Sequence, residues 1–381
     1  MDTLRTDARD ERTSFLIAGT KTLLVSPLKF EQSVSPDEFE LHVLHKHNQR
    51  ENSVHEVHVA SRNSARLGWL IPINALASTS HDFVENRHFL YCAVVAMSLF
   101  ANSPTKGALE REVEVGSLEV TMADLFHPNT ALLVLHRPSM SAANVSNISR
   151  LFPGLAQYGY FDADLTEPDR VSAFGIEPDQ VKMKVRVTSE DIERVDVPAR
   201  LLALAAGASD SYLSKFFYLY QIVEFLMEIV LEHRLPDVAR TMIRKLEAGR
   251  VSHLRRDVTS LSEAFVEGKR LNLLMETYGG HHVDLAPLSV AANRFLESVG
   301  VQSESQIDAL YQVRNFVFHQ GRNVLDSHAK LLSEVANEFA VVVPDLLARF
   351  QFPIRDYGMS AALSELNVEY AALATDETFL P

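Results

Sequence analysis

The sequence holds one cysteine, Cys92, in 381 residues. A single thiol excludes an internal disulfide, a cysteine-based zinc site and a redox pair, and it fits a reducing compartment. A cytoplasmic protein is expected. Long apolar runs are missing as well. The longest, Phe89 to Ala101, spans 13 residues and includes Ser98, short of the roughly 20 needed to cross a bilayer. The opening MDTLRTDARDERT has no apolar stretch, so neither a secretory signal nor a membrane anchor is expected there. Basic residues are outnumbered 36 to 50, a net charge of −14, which excludes a surface that coats nucleic acid non-specifically. Any nucleic-acid site must be local. Also absent are a Gly-x-x-x-x-Gly-Lys-Ser/Thr phosphate loop, a Gly-x-Gly-x-x-Gly turn, a Gly-x-Ser-x-Gly elbow and a His-Glu-x-x-His helix. ATPase, dinucleotide, α/β-hydrolase and zincin chemistries lose their support, and no cofactor is expected. No period of 20 to 50 residues repeats, which argues against solenoids and propellers.

What is present is enough apolar material, 46% of residues, for two domains with real cores. The pattern predicts an α+β chain: a flexible start over 1–12, a β-rich sensor or specificity domain over 13–197, an all-α antiparallel bundle over 198–352 and an acidic tail over 353–381. Short β-branched or alternating runs mark the first part: SFLIAGTKTLLVSP, EFELHVLHKH, VHEVHVAS, REVEVGSLEVTM, TALLVLH and VKMKVRVTSE. Period two is clearest where Lys182, Lys184 and Arg186 alternate with Met183, Val185 and Val187. Phe89, Ala93 and Met97 stand at helical spacing, so a helix is expected between Glu85 and Asn102. After Val197-Pro198 strong helix formers take over. Helices are expected from Tyr212 to His233, from Pro236 to Gly249 and on towards Tyr278, from Ser289 to Val299, from Glu304 to His319 and from Ser327 to Phe350. Pro236 would open a helix, Ser303 with Gln306 would form a capping box, Asp326 would cap the last helix and Pro344 would kink it. A short helix is expected around Ala361 to Leu373. Net charge divides as −8 over 1–199, −2 over 200–350 and −4 over 351–381.

Three polar clusters carry little. His42, His45 and His47 with His55 and His58 could supply imidazoles from two adjacent strands, but the spacing is loose and a solvated hairpin is the expected reading. Asp162, Asp164, Glu167 and Asp169 lack the central glycine and closing Glu of a calcium loop, which leaves a solvated acidic loop. His281-His282 fits an ordinary connection between helices.

The informative segment is Tyr311-Gln-Val-Arg-Asn-Phe-Val-Phe-His-Gln-Gly-Arg322. Arg314 and His319 sit among Leu310, Val313, Phe316, Val317 and Phe318, where a cation and an imidazole need partners or a cleft. Five residues is about 140° around a helix, so the two side chains do not share a face. Arg314-Asn315-x-x-x-His319 resembles the signature of the HEPN superfamily, and Tyr212 to Glu228, with Tyr220, Gln221 and Glu224 between core residues, resembles the long first helix of such domains. The resemblance covers about residues 200–350 and lies nearest to the abortive-infection and antiphage members, including the ApeA-like group. Gly321 stands where some toxin members carry a tyrosine that a partner enzyme modifies, which speaks against that route of control.

The resemblance implies a metal-independent endoribonuclease, a toxin or antiphage effector. In it His319 moves the proton of a ribose 2′-hydroxyl or of the leaving 5′-oxygen, Arg314 holds the scissile phosphate and Asn315 orients it, with Glu224 accessory. It further implies a homodimer through the helical part, a composite cleft, products with 2′,3′-cyclic phosphate and 5′-hydroxyl ends, and a trigger or inhibitor bound by the N-terminal part. Arg240, Arg244, Lys245, Arg250, Arg255, Arg256 and Arg322 are candidate RNA contacts. A second reading stays open, in which the helical part is an inactive dimerisation or binding module.

Overall fold

The computed structural model describes residues 13–18, 20–30, 33–60, 64–102, 119–178, 181–208, 211–248, 258–259, 262, 265–320 and 326–353. The architecture is mixed α/β, with a β-rich N-terminal region followed by a helical C-terminal region.

In the first region β1 (Thr13–Leu16) and β2 (Leu23–Ser26) form a hairpin, joined in parallel by β6 (Glu119–Val120). A six-stranded sheet follows the order β8-β3-β7-β5-β4-β9, built from β3 (Phe39–His45), β4 (His55–Val59), β5 (Arg66–Pro72), β7 (Thr130–His136), β8 (Phe161–Asp162) and β9 (Lys182–Val185). It is antiparallel except where β4 runs parallel to β9. Both faces are covered. Trp69, Ile71, Leu132 and Val134 pack under helix α2 (Arg87–Asn102), and Leu67, Leu70, Leu133 and Leu135 pack on the other side with Leu151 and Leu155. Two buried faces explain why TALLVLH and RLGWLIP are apolar without alternation. The second of these, β5, is a strand that period-two reading passes over. β9 does alternate, with Met183 and Val185 buried and Lys182 and Lys184 exposed, as its sequence predicts. Gly68 fixes the pairing of β5 with β7, because a Cβ there would lie 1.9 Å from the Val134 carbonyl oxygen. Only glycine lets the two backbones approach so closely.

The histidines of β3 and β4 correct an expectation. β3 and β4 are not a hairpin, since β7 and β5 lie between them. His45, His55 and His58 are buried rather than solvated. His45 Nδ1 pairs with Thr166 Oγ1 at 3.0 Å, while His58 Nε2 lies 2.8 Å from Glu56 Oε2 and its Nδ1 3.0 Å from the Ser64 carbonyl. Among the described residues no group of three or more His, Cys, Asp or Glu could hold a metal ion, and no helix is long and apolar enough to cross a membrane.

The helical region begins with α6 (Asp196–Gly207) and the 36-residue α7 (Tyr212–Glu247), capped by the Ser211 hydroxyl, which accepts from the Ser214 N–H. Pro236 does not open a new helix, because α7 runs through it. Pro236 is exposed, so the carbonyl it leaves without a donor can turn to water, and the helix survives. Then follow α8 (Glu267–Thr277), α9 (Ala286–Ser298), α10 (Gln306–Gln320) and α11 (Asp326–Arg349). The cap of α10 is Ser305, whose hydroxyl accepts from the Asp308 N–H, while Asp308 accepts from the Glu304 N–H. Ser303 instead donates to Asn293. The expected box of Ser303 with Gln306 was two residues early. α11 starts at Asp326 and contains Pro344, and the expected helix around 361–373 lies outside the described residues. The largest core joins α6, α7, α8, α9, α10 and α11 to Ala156, Phe161, Val171 and Phe174 of the first region. It therefore runs across the composition change near residue 197.

Candidate functional site

α10 packs chiefly on α9, and also on α8, by its inner face, where Ala309, Leu310 and Val313 are buried. Arg314 follows directly and is half-buried, so its charge must be met by protein. Its Nη2 donates to Glu224 Oε1 of α7 at 3.3 Å and its Nη1 to Asn315 Oδ1 at 3.2 Å. Its Nε lies 3.1 Å from Glu267 Oε1 of α8 without aiming a hydrogen at it, a contact of charges rather than a directed bond. Glu267 occupies the first turn of α8, where a carboxylate is favoured by the helix dipole. Tyr220, fully buried on α7, donates its hydroxyl to the same Glu267 oxygen at 2.9 Å. Burial first, then the neighbouring Glu267 carboxylate, pushes the Tyr220 phenol pKa far up, which keeps that donor protonated. The guanidinium also lies over the rings of Phe318 and Tyr220, 4.8 and 5.6 Å from their centroids.

Phe318 closes this cluster on one side and stacks on Phe217 on the other, with centroids 5.5 Å apart. Beyond it lies a cleft of about 710 Å³ lined by Leu213, Ser214, Phe217, Tyr218, Val317, Phe318 and His319. His319 is exposed on its wall. The cleft adjoins a second, of about 550 Å³, with which it shares Ser214 and Tyr218 and whose far wall includes Thr166 and Arg170 of the first region.

The structure therefore brings Arg314, Asn315 and Glu224 together and leaves His319 on the other side of Phe318. The described candidate RNA contacts, Arg240, Arg244 and Lys245, are not gathered there. Arg240 and Arg244 are exposed and Lys245 half-buried on the far part of α7, 23 to 28 residues beyond Phe217 and so about 35–42 Å along a helix. Arg250, Arg255, Arg256 and Arg322 lie outside the described residues. His281 and His282 form a short exposed turn, and Asp162 caps a similar turn by accepting from the Asp164 N–H. Sequence reading missed Glu267, the aromatic pair of Phe217 with Phe318, and Tyr218. An acid in a first helical turn signals where α8 starts, yet nothing in the sequence pairs it with an arginine 47 residues later.

Chemically, the cluster is a closed clamp: one cation, two carboxylates and a neutral phenol. The cleft offers one titratable imidazole among apolar and aromatic faces. Comparison with family models, with curated proteins and with solved structures finds no match to this chain.

Proposed function

We propose that this chain is a metal-independent endoribonuclease whose helical region is a HEPN-like bundle, acting as a toxin or antiphage effector. The observation that carries the reading is His319 standing exposed on the wall of an aromatic cleft rather than packed into its own core. Exposed Phe217 and Phe318 with Tyr218 supply faces on which unpaired bases stack. His319 takes the proton of the 2′-hydroxyl as its oxygen attacks the neighbouring phosphorus. The bond to the 5′-oxygen breaks, and that oxygen leaves with a proton from a second imidazole. The ends are a 2′,3′-cyclic phosphate and a 5′-hydroxyl. The second imidazole comes from a second copy of the chain, which makes the active form a homodimer. Arg314, engaged by Glu224, Glu267 and Asn315, acts in this arrangement as a positioning residue that fixes α10 and backs Phe318. Contact with the phosphate requires it to exchange a carboxylate for the substrate.

That same engagement favours a second reading, an inactive HEPN-like dimerisation or binding module in which Arg314 serves only packing. Purified full-length protein, wild type and His319→Ala, incubated with total RNA with and without EDTA and with product ends mapped, separates the two. Cleavage that survives EDTA, leaves cyclic phosphate ends and vanishes in the variant supports the enzyme. Intact RNA under all conditions leaves the binding module.

A further inference from the structure

Where the sheet meets the helical region there is a cavity of about 370 Å³. The first region lines it with Tyr158, Ile176, Lys184 and Arg186, and the helical region with Asp284 and residues of α11. That size is at the lower end of small-molecule pockets, which form preferentially at junctions between folding units. It suits one small molecule rather than a folded partner. Ile176 and Val341, on opposite sides of the cavity, stay 49% and 36% exposed, so part of its apolar wall is left to water.

Lys184 and Arg186 stand two residues apart along β9 and its extension, about 7 Å in an extended chain, and both reach the cavity. The protein leaves both cations largely unused. The Lys184 ammonium has no hydrogen bond or ion pair to a described residue. Arg186 Nε lies 3.7 Å from Asp345 Oδ1, beyond hydrogen-bonding distance. Asp345 is satisfied without it, because Arg349 Nε donates to its Oδ2 at 2.7 Å and Gln157 Nε2 to its Oδ1 at 3.0 Å. Glu177, next to Ile176, is taken by Lys46 at 2.9 Å. The other acid of the lining, Asp284, accepts the Ala286 N–H with Oδ1 at the start of α9, where the helix dipole favours a carboxylate. Its second oxygen can accept from a hydroxyl. With Asp345 balanced by Arg349, Lys184 and Arg186 face Asp284 alone, a net +1. The Tyr158 hydroxyl donates to the Lys184 carbonyl at 3.0 Å, which ties the phenol to the strand that carries both cations.

A guanidinium fork beside an ammonium is suited to phosphate oxygens. The apolar wall asks for a body attached to that phosphate, and Asp284 for a hydroxyl on it. We propose that this cavity binds a small phosphate monoester of the nucleoside monophosphate class, with the phosphate on Lys184 and Arg186, a ribose hydroxyl on Asp284 and the base against Ile176 and Val341. A ligand held there touches both regions at once. The inference is independent of the ribonuclease reading.

Isothermal titration calorimetry of the full-length protein with each of the four ribonucleoside 5′-monophosphates tests it. At least one should bind saturably, one per chain, with a Kd below about 1 mM. The matching nucleoside and inorganic phosphate should each bind at least about tenfold more weakly, since each meets only half of the site. Lys184→Ala, which removes an exposed side chain without a partner, should weaken the monophosphate by about tenfold and leave the melting temperature unchanged. Arg186→Gln should weaken it at least as much, and His319→Ala not at all. Absence of saturable binding by all four at about 5 mM overturns the proposal, as does inorganic phosphate binding as tightly as the monophosphate. Binding that is lost in His319→Ala and kept in Lys184→Ala overturns it in favour of the aromatic cleft, and so tells its failure apart from failure of the ribonuclease reading.

Discussion

The two sides of Phe318 differ in kind. On one side Arg314 is surrounded, with side-chain exposure of 17% for the arginine and 20% for Glu267. On the other side His319 faces an open cleft with no ion pair to a described residue. A cation placed in a half-buried position must be neutralised where it stands, whereas an imidazole at a helix end can remain solvated. The contrast separates a residue that holds the helix in place from one that is free to do chemistry, although the two lie five positions apart.

Substitutions sharpen that difference. Arg314→Ala should have the largest effect, a loss of about 2–4 kcal/mol in denaturant unfolding, because two carboxylates lose their partner. The figure stays at the lower end for a broken buried pair since the group is partly exposed. Phe318→Ala should cost about 1–2 kcal/mol, from lost contact with Phe217, Tyr220 and the guanidinium. The Tyr220 hydroxyl adds a pH signature. A phenol held protonated in the folded state contributes stability that is complete below the ordinary phenol pKa of about 10 and is lost as pH rises above it. Wild-type stability should therefore fall more steeply above pH 10 than that of Tyr220→Phe, measured by urea midpoints across the range. His319→Ala should change stability by no more than about 0.5 kcal/mol. If that last variant unfolds the protein while Arg314→Ala does not, the assignment of the two sides is reversed.

Much of this site was legible in the sequence because helices declare themselves by period. The spacing of Leu310, Val313 and Val317 placed α10 and its inner face, and Tyr212 to Glu228 announced α7. The partners were not legible. Glu267 comes to Arg314 through the packing of α8 on α7 and α10, and no local rule encodes that. Pro236 misled because the rule that proline opens helices is local, while an exposed helix interior tolerates it. β5 was hidden because a strand buried on both faces has no alternation to read. The histidines of β3 and β4 were judged as neighbours from their nearness in sequence, and long-range pairing with β7 and β5 set them apart.

The core that runs from Phe161 and Phe174 into Phe216, Leu219 and Tyr220 has a thermodynamic consequence. A chain cut near residue 197 would leave apolar surface on both pieces, so neither half is expected to keep its native stability alone. Heat should melt the described β-rich and helical regions in one cooperative transition, with the calorimetric and van't Hoff enthalpies in agreement. Whatever loosens Phe161 or Phe174 should loosen α7 with them, because both ends belong to one core.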